Sequence, residues 1–180
     1  MSATCGGLRV WTVYVPNGRT LDSDHYAYKL NWLAALRAAL LASKPTSPPL
    51  VVCGDFNIAP TDDDVWDPAA FIGSTHVSAK EREALVALTS LGLDDIHPRA
   101  FKGRPFTYWD YRAGNFHKGL GLRIDLALLS RDLANELSEC GIDRDYRKGS
   151  KPSDHAPLLV ALNGEAADAW IPVRRPGQRR

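Results

Sequence analysis

The succession of apolar segments between Leu8 and Gly54 constrains this chain most. Residues 8 to 15, LRVWTVYV, are β-branched and aromatic and stop at Pro16-Asn17-Gly18, the pattern of a buried strand entering a turn. From Asp24 to Ser43, Tyr26, Leu30, Leu33, Leu36 or Arg37, and Leu40 recur at helical spacing, and Lys44-Pro45 with the following TSPP ends the helix. A second strand, LVVCG at 50 to 54, then runs into Asp55-Phe56-Asn57. Ser78 with Glu81 three residues later is a capping-box signal for a helix carrying Leu85, Leu88 and Leu91, closed by Gly92. Short strand-like pieces follow around 105 to 109, 122 to 129 and 157 to 162, joined by polar, Gly-containing loops. The mixture predicts an α/β fold with a layered sheet. The low-complexity stretch after Gly164, with Arg174, Arg175, Arg179 and Arg180 among Pro and Gly, is expected to be a mobile basic tail.

With 44% apolar residues in 180, the chain can bury a substantial core as one domain. It contains no run of 18 apolar residues, and MSATCGGLR lacks the basic start and apolar stretch of a signal peptide, so the reading is cytoplasmic, against membrane insertion and secretion. Cys5, Cys53 and Cys140 are odd in number, far apart and without CxxC spacing, which argues for reduced packing residues. The net charge of +1 hides a local bias: Arg99, Lys102, Arg104, Arg112, Lys118 and Arg123 stand against the single acid Asp110, with aromatics from Phe101 to Phe116 interleaved. Cations mixed with aromatics can neutralise phosphates and stack on bases, although a solvated basic face above core aromatics gives the same pattern.

Three acidic positions carry the chemistry. Asp55 and Asn57 follow LVVCG, where a carboxylate and a carboxamide two residues apart can point into the crevice at a strand's C-terminal end; an Asx-type turn is the plainer explanation. Asp125 lies within LRIDLALL, and a carboxylate in so apolar a run must be paired or ligating, with Arg123 one candidate partner. Asp154 and His155 precede the strand LLVAL, and an adjacent Asp and His, with another Asp to fix the imidazole tautomer, are the parts of a hydrolytic site. Together these groups suit phosphodiester hydrolysis, in which a positioned base activates water and a metal ion neutralises phosphate charge.

VYVPNG, VCGDFNIAPTDDD, PFTYWDYR, GLGLRIDLALLS and KPSDHAPLLVAL, in this order, resemble the exonuclease III and AP-endonuclease branch of the endonuclease/exonuclease/phosphatase superfamily. The resemblance covers Gly7 to Leu162 and implies part of a four-layer α/β sandwich, two packed mixed β-sheets flanked by helices, spanning 1 to 163 as the C-terminal two-thirds of the domain. It implies a DNA-repair phosphodiesterase that degrades duplex DNA 3′ to 5′ and incises 5′ to abasic sites, working as a monomer with Mg²⁺, or Mn²⁺.

By motif, Tyr14 would contact the scissile phosphate, Asp55 would position or deprotonate water, and Asn57 would hold the site geometry. His155 would contact the phosphate, with Asp125 orienting it. Asp154 would lie near the metal, for which Asp55 and Asn57 are further ligand candidates. Tyr108, Trp109, Leu122 and Ile124 would line a small apolar pocket for a flipped-out abasic sugar, and Arg112 would contact backbone phosphate. The family's strand-end metal-binding glutamate belongs to an N-terminal third with no counterpart here, because Glu81, Glu83, Glu136, Glu139 and Glu165 are expected on helices or in the tail. The competing expectations are a silent fragment that only binds DNA, and a phosphoinositide or sphingolipid phosphodiesterase.

Overall fold

The structure, a computed structural model, describes residues 1–43, 49–99 and 103–163. Strands β1 (Ser2–Cys5) and β2 (Leu8–Tyr14) form an antiparallel pair, helix α1 (Asp24–Ser43) follows, and β3 (Leu50–Asp55) returns parallel to β2. Helix α2 (Ala79–Thr89) and strand β4 (Leu93–Asp95) come next, then the single turn α3 (Asn115–Lys118) and strand β5 (Asp125–Ser130). The turn α4 (Arg131–Ala134) leads to β6 (Leu137–Ile142) and β7 (Leu158–Leu162). One mixed sheet has the order β1-β2-β3-β5-β4, and β6 and β7 make a second, two-stranded antiparallel sheet. The fold is α/β, as expected.

The central strands explain their own sequences. In β5, Leu126 and Leu128 join the core under the two long helices, while Ala127 and Leu129 join a second core toward β6 and β7. Successive side chains of a strand point to opposite faces, so a strand covered on both reads as continuous apolar residues. Strand β3 divides the same way: Val52 packs under α1 and α2, and Val51 and Cys53 face the second sheet. The two faces are covered unequally. A groove of about 1070 Å³ runs along the second face between β3, β5 and β7, and Asp125 and His155 are among its lining residues.

Helix α1 has the predicted span, but its buried stripe is Tyr26, Lys29, Leu33, Leu36 and Leu40, with Lys29 where Leu30 was expected. The Ser78–Glu81 capping box is formed. Residues 105 to 109 make no strand; Tyr108 contributes only isolated bridges, to Leu122 and His155. Strand β5 begins at Asp125, not at 122. Strands β1, β4 and β6 escaped prediction because SATC, LDD and LSECGI are short, polar or interrupted. Glu139 consequently stands on a strand, where a helix was expected. The Lys44-Pro45 helix stop, Phe101, Lys102 and the tail with Glu165 lie outside the described residues.

Candidate active site

Register places the site. Tyr14 ends β2 opposite Asp55, which ends β3, and Asp55 in turn stands opposite Asp125, the first residue of β5. Three neighbouring strands thus present a phenol and two carboxylates at one end of the sheet. The approach of β2 to β3 demands the glycine of the GDFN motif: Gly54 has φ +137, and a Cβ there would lie 2.0 Å from the Val13 carbonyl oxygen.

Asp55 is held from behind by Asn57. The Asn57 backbone N–H donates to Asp55 Oδ1 at 2.8 Å and its Nδ2 donates to Oδ2 at 3.1 Å. Nδ2 also donates to the Val15 carbonyl at 2.9 Å, and Oδ1 accepts from Asn17 Nδ2 at 3.2 Å. Asn57 is itself buried, so every polar atom of its amide is engaged in shaping the turn.

His155 joins the carboxylates. Its Nδ1 lies 2.7 Å from Asp125 Oδ2, and its Nε2 lies 4.0 Å from Asp55 Oδ2. A carboxylate only accepts, so Nδ1 carries the proton and Nε2 is the atom left for the site. Arg123 plays no part in balancing Asp125: it pairs with Asp64 at 2.6 Å and Asp95 at 2.7 Å. The His155 loop is fixed by residues 107 to 109. Trp109 N–H donates to the Asp154 carbonyl and Ala156 N–H to that of Thr107, while the buried Thr107 Oγ1 accepts from the N–H of Ile124 and of Asp125. Tyr108 stacks tilted on His155, ring centroids 5.0 Å apart.

The charges are unevenly balanced. Burial pushes the Asp55 carboxyl up, the Asn57 hydrogen bond opposes this, and the neighbouring Asp125 adds to it, leaving the pKa at about 6. For His155, burial disfavours the imidazolium, but the hydrogen bond and charge of Asp125, with Asp55 and Asp154 nearby, outweigh it and hold the pKa above the usual histidine value.

Tyr14 is 69% exposed beside Asp55. Arg112 is exposed and paired with Asp110. Trp109, Leu122 and Ile124, expected to line a small apolar pocket, are 0%, 4% and 2% exposed. Trp109 packs edge-on to Phe116, and Leu122 and Ile124 form a small core with Ala59 and Val65, against which Tyr108 lies. Of that expected wall, Tyr108 reaches the surface.

Several residues that shape the site went unread in the sequence: Asn17, Lys29, Asp64, His76, Asp95 and Thr107. Only Lys29 left a usable signal, a lysine at an inward position of an apolar helical stripe, which requires a buried partner. Among the described residues no group of three or more His, Cys, Asp or Glu is gathered as a metal cage. The donors present are nevertheless those a hard cation takes. Asp55 offers a carboxylate, Asp154 stands close enough for its charge to act on His155, and the crowding of Asp55 by Asp125 leaves negative charge that a cation would relieve.

A carboxylate with its pKa raised to about 6, an imidazole oriented by a second carboxylate and an exposed phenol thus meet at one end of the sheet. The chain belongs to the endonuclease/exonuclease/phosphatase family, whose model matches residues 2–155. It is 32% identical over 167 residues to exodeoxyribonuclease III of Haemophilus influenzae, across 85% of this chain and 61% of that protein. A 3′ phosphatase from Neisseria solved with product DNA hairpin aligns at a TM-score of 0.86 with 38% identity, over 91% of this chain and 64% of the other. An AP endonuclease from Archaeoglobus fulgidus aligns at 0.83 with 35% identity and the same coverage. The chain therefore spans about three-fifths of the length of its exodeoxyribonuclease relatives from Bacillus subtilis and Haemophilus influenzae.

Proposed function

We propose that this chain carries the catalytic centre of a DNA-repair phosphodiesterase that acts on duplex DNA, removing nucleotides 3′ to 5′ and incising 5′ to abasic sites. One observation carries the reading: Asp55 lies 4.0 Å from Nε2 of His155, a histidine whose Nδ1 is fixed by Asp125 at 2.7 Å. Above a pKa of about 6 Asp55 is an ionised base that accepts a proton from water as the water oxygen bonds to phosphorus and the bond to the 3′ oxygen breaks, the departing alkoxide taking a proton from solvent to leave as the 3′ hydroxyl. Nε2 of protonated His155 and the hydroxyl of Tyr14 donate hydrogen bonds to the phosphate oxygens as charge builds on them. Asn57 keeps Asp55 in line. Tyr108 would meet the displaced sugar, and Arg112, released from Asp110, a backbone phosphate. The likeness to an exodeoxyribonuclease III, a DNA-bound 3′ phosphatase and an AP endonuclease supports DNA as the substrate.

Mg²⁺, or Mn²⁺, held by Asp154 and Asp55 with waters, would neutralise phosphate charge, while Asn57, whose amide is taken up by the turn, would keep Asp55 in place; such ions bind through one or two carboxylates plus substrate oxygens. We place the protein in the cytoplasm as a monomer; among the described residues no helix is long and apolar enough to cross a membrane. A second reading, DNA binding without cleavage, is favoured by the lack of a gathered cluster of metal-binding side chains among the described residues. Incubation of a labelled abasic duplex with the purified chain in millimolar Mg²⁺ separates the two. The first reading expects cleavage that chelation stops and Asp55→Asn abolishes; binding of the duplex without cleavage establishes the second and overturns the first.

A further inference from the structure

Behind the reacting groups lies a charge pair that the chemistry above leaves unused. Lys29 on α1 and Glu81 on α2 form a salt bridge in which neither side chain has any exposed area. An apolar pair of similar volume generally packs as well as a buried ion pair or better, so this one needs a reason in what else it touches. Lys29 Nζ also donates to the Asn57 carbonyl oxygen at 2.7 Å. The imidazole of His76 approaches the same oxygen, Nδ1 at 2.7 Å, and because a carbonyl only accepts, Nδ1–H is the donor. Both lone pairs of the Asn57 carbonyl are thereby used. Glu81 closes the circuit, accepting from Thr75 Oγ1 at 2.7 Å, His76 N–H at 3.0 Å, and Ser78 N–H and Oγ at 3.1 and 2.6 Å.

The grip falls on a conformation that needs one. Asn57 has φ +50 and His76 φ +77, both in the left-handed region that non-glycine residues enter at a cost. The bend at Asn57 is what lets its two amide groups turn back onto the Asp55 carboxylate. The cavity around the lysine is closed: a Cβ on Gly18 would sit 2.7 Å from Thr75 Oγ1 and 2.9 Å from the Tyr26 ring.

We propose that Lys29 and Glu81, with His76, are positioning residues that clamp the Asn57 carbonyl, so that Asn57 holds the Asp55 carboxylate in the orientation in which it takes a proton. The inference rests on the role given to Asp55 above, but its structural part can be read without any reaction.

The test is the double variant Lys29→Met/Glu81→Met, which removes both charges, keeps the volume and leaves no buried charge unpaired. Two properties are measured: steady-state kinetics on an abasic duplex, and amide hydrogen exchange by NMR, comparing Asn57 N–H with the amides of β5. Expected are a kcat lowered about tenfold or more with KM little changed, and Asn57 exchange about tenfold faster while β5 is unaffected. Wild-type kcat and wild-type protection of Asn57 in the folded double variant overturn the proposal. If the wild type itself shows no cleavage, the functional reading fails, and exchange at Asn57 still decides the clamp. Should the double variant not fold, His76→Ala removes one donor without unpairing a charge; faster exchange at Asn57 alone supports the clamp, and unchanged exchange overturns it.

Discussion

Asp55 and Asp64 stand nine residues apart in sequence and meet opposite surroundings. Both side chains are largely buried, 14% and 1% exposed. Burial would raise the pKa of each. At Asp64 the Arg123 guanidinium, donating through Nε at 2.6 Å, together with Thr61 N–H at 2.9 Å and Oγ1 at 2.8 Å, reverses the effect and holds the carboxyl below its usual range. Asp55 has two amide contacts from Asn57, a like charge at Asp125, and an imidazole nitrogen 4.0 Å away. It is left near 6. A buried acid whose charge is fully met serves as scaffold, whereas one whose charge is left short is available to move a proton. Arg123 and Asp125, two residues apart at the entry to β5, serve the two regions separately.

The largest effect should come from the under-neutralised region. Asp55→Asn and His155→Ala are each expected to lower turnover on abasic duplex by on the order of a hundredfold or more, with DNA affinity changed much less. Kinetics paired with binding isotherms check this, and near-normal turnover in either variant removes the role assigned to that residue. Asp125→Asn added to His155→Ala should be little worse than His155→Ala alone, since Asp125 acts through the imidazole.

The neutralised region should answer in stability. Arg123→Met strands the Asp64 and Asp95 carboxylates and is expected to cost about 3–5 kcal/mol by urea denaturation. Asp55→Asn should cost far less by the same measurement. Comparable losses in the two would erase the contrast between them.

A smaller effect follows from pH. The rate should climb as pH rises through about 6, where Asp55 loses its proton. Its stability contribution runs the other way. The native state holds that proton more tightly than the unfolded chain, whose value is near 3.8, so Asp55 lowers stability above pH 6 and the penalty disappears as pH falls toward the unfolded value. For Asp64, with its pKa depressed, stability is present above the unfolded value and is lost as pH falls through the folded one. Urea midpoints of wild type and Asp55→Asn across this range should converge toward low pH. The smallest change expected is in salt: affinity for duplex should fall by at least about tenfold between roughly 50 and 200 mM if three phosphates are neutralised. A salt-independent dissociation constant would speak against phosphate contacts.

The same contrast explains what could be read from the chain. Strand β2, helices α1 and α2 and strand β3 were legible because local periodicity and caps specify them, and the GDFN and SDHAP segments marked Asp55, Asn57 and His155. The need of Asp125 for a partner was legible from its apolar surroundings, whereas the partner itself, His155, was legible only through the family resemblance and not from local pattern. His155 is 30 residues away, and Arg123, the neighbour in sequence, is taken by Asp64 across 59 residues. Pairings of that separation leave no periodic trace. Nor does burial of Trp109, Leu122 and Ile124, whose apolar side chains suit a pocket wall and a core equally. Lys29 is masked in the sequence by Leu30 beside it, which fits the apolar stripe almost as well.

The most direct test is a carboxylate-detected NMR titration of the folded chain that follows Asp55 and Asp64 together. Asp55 should titrate near 6 while Asp64 stays ionised to below the ordinary carboxylate range. Both groups titrating together near 3.8 would remove the contrast between them, because Asp55 would then be no more poised for proton transfer than any surface aspartate.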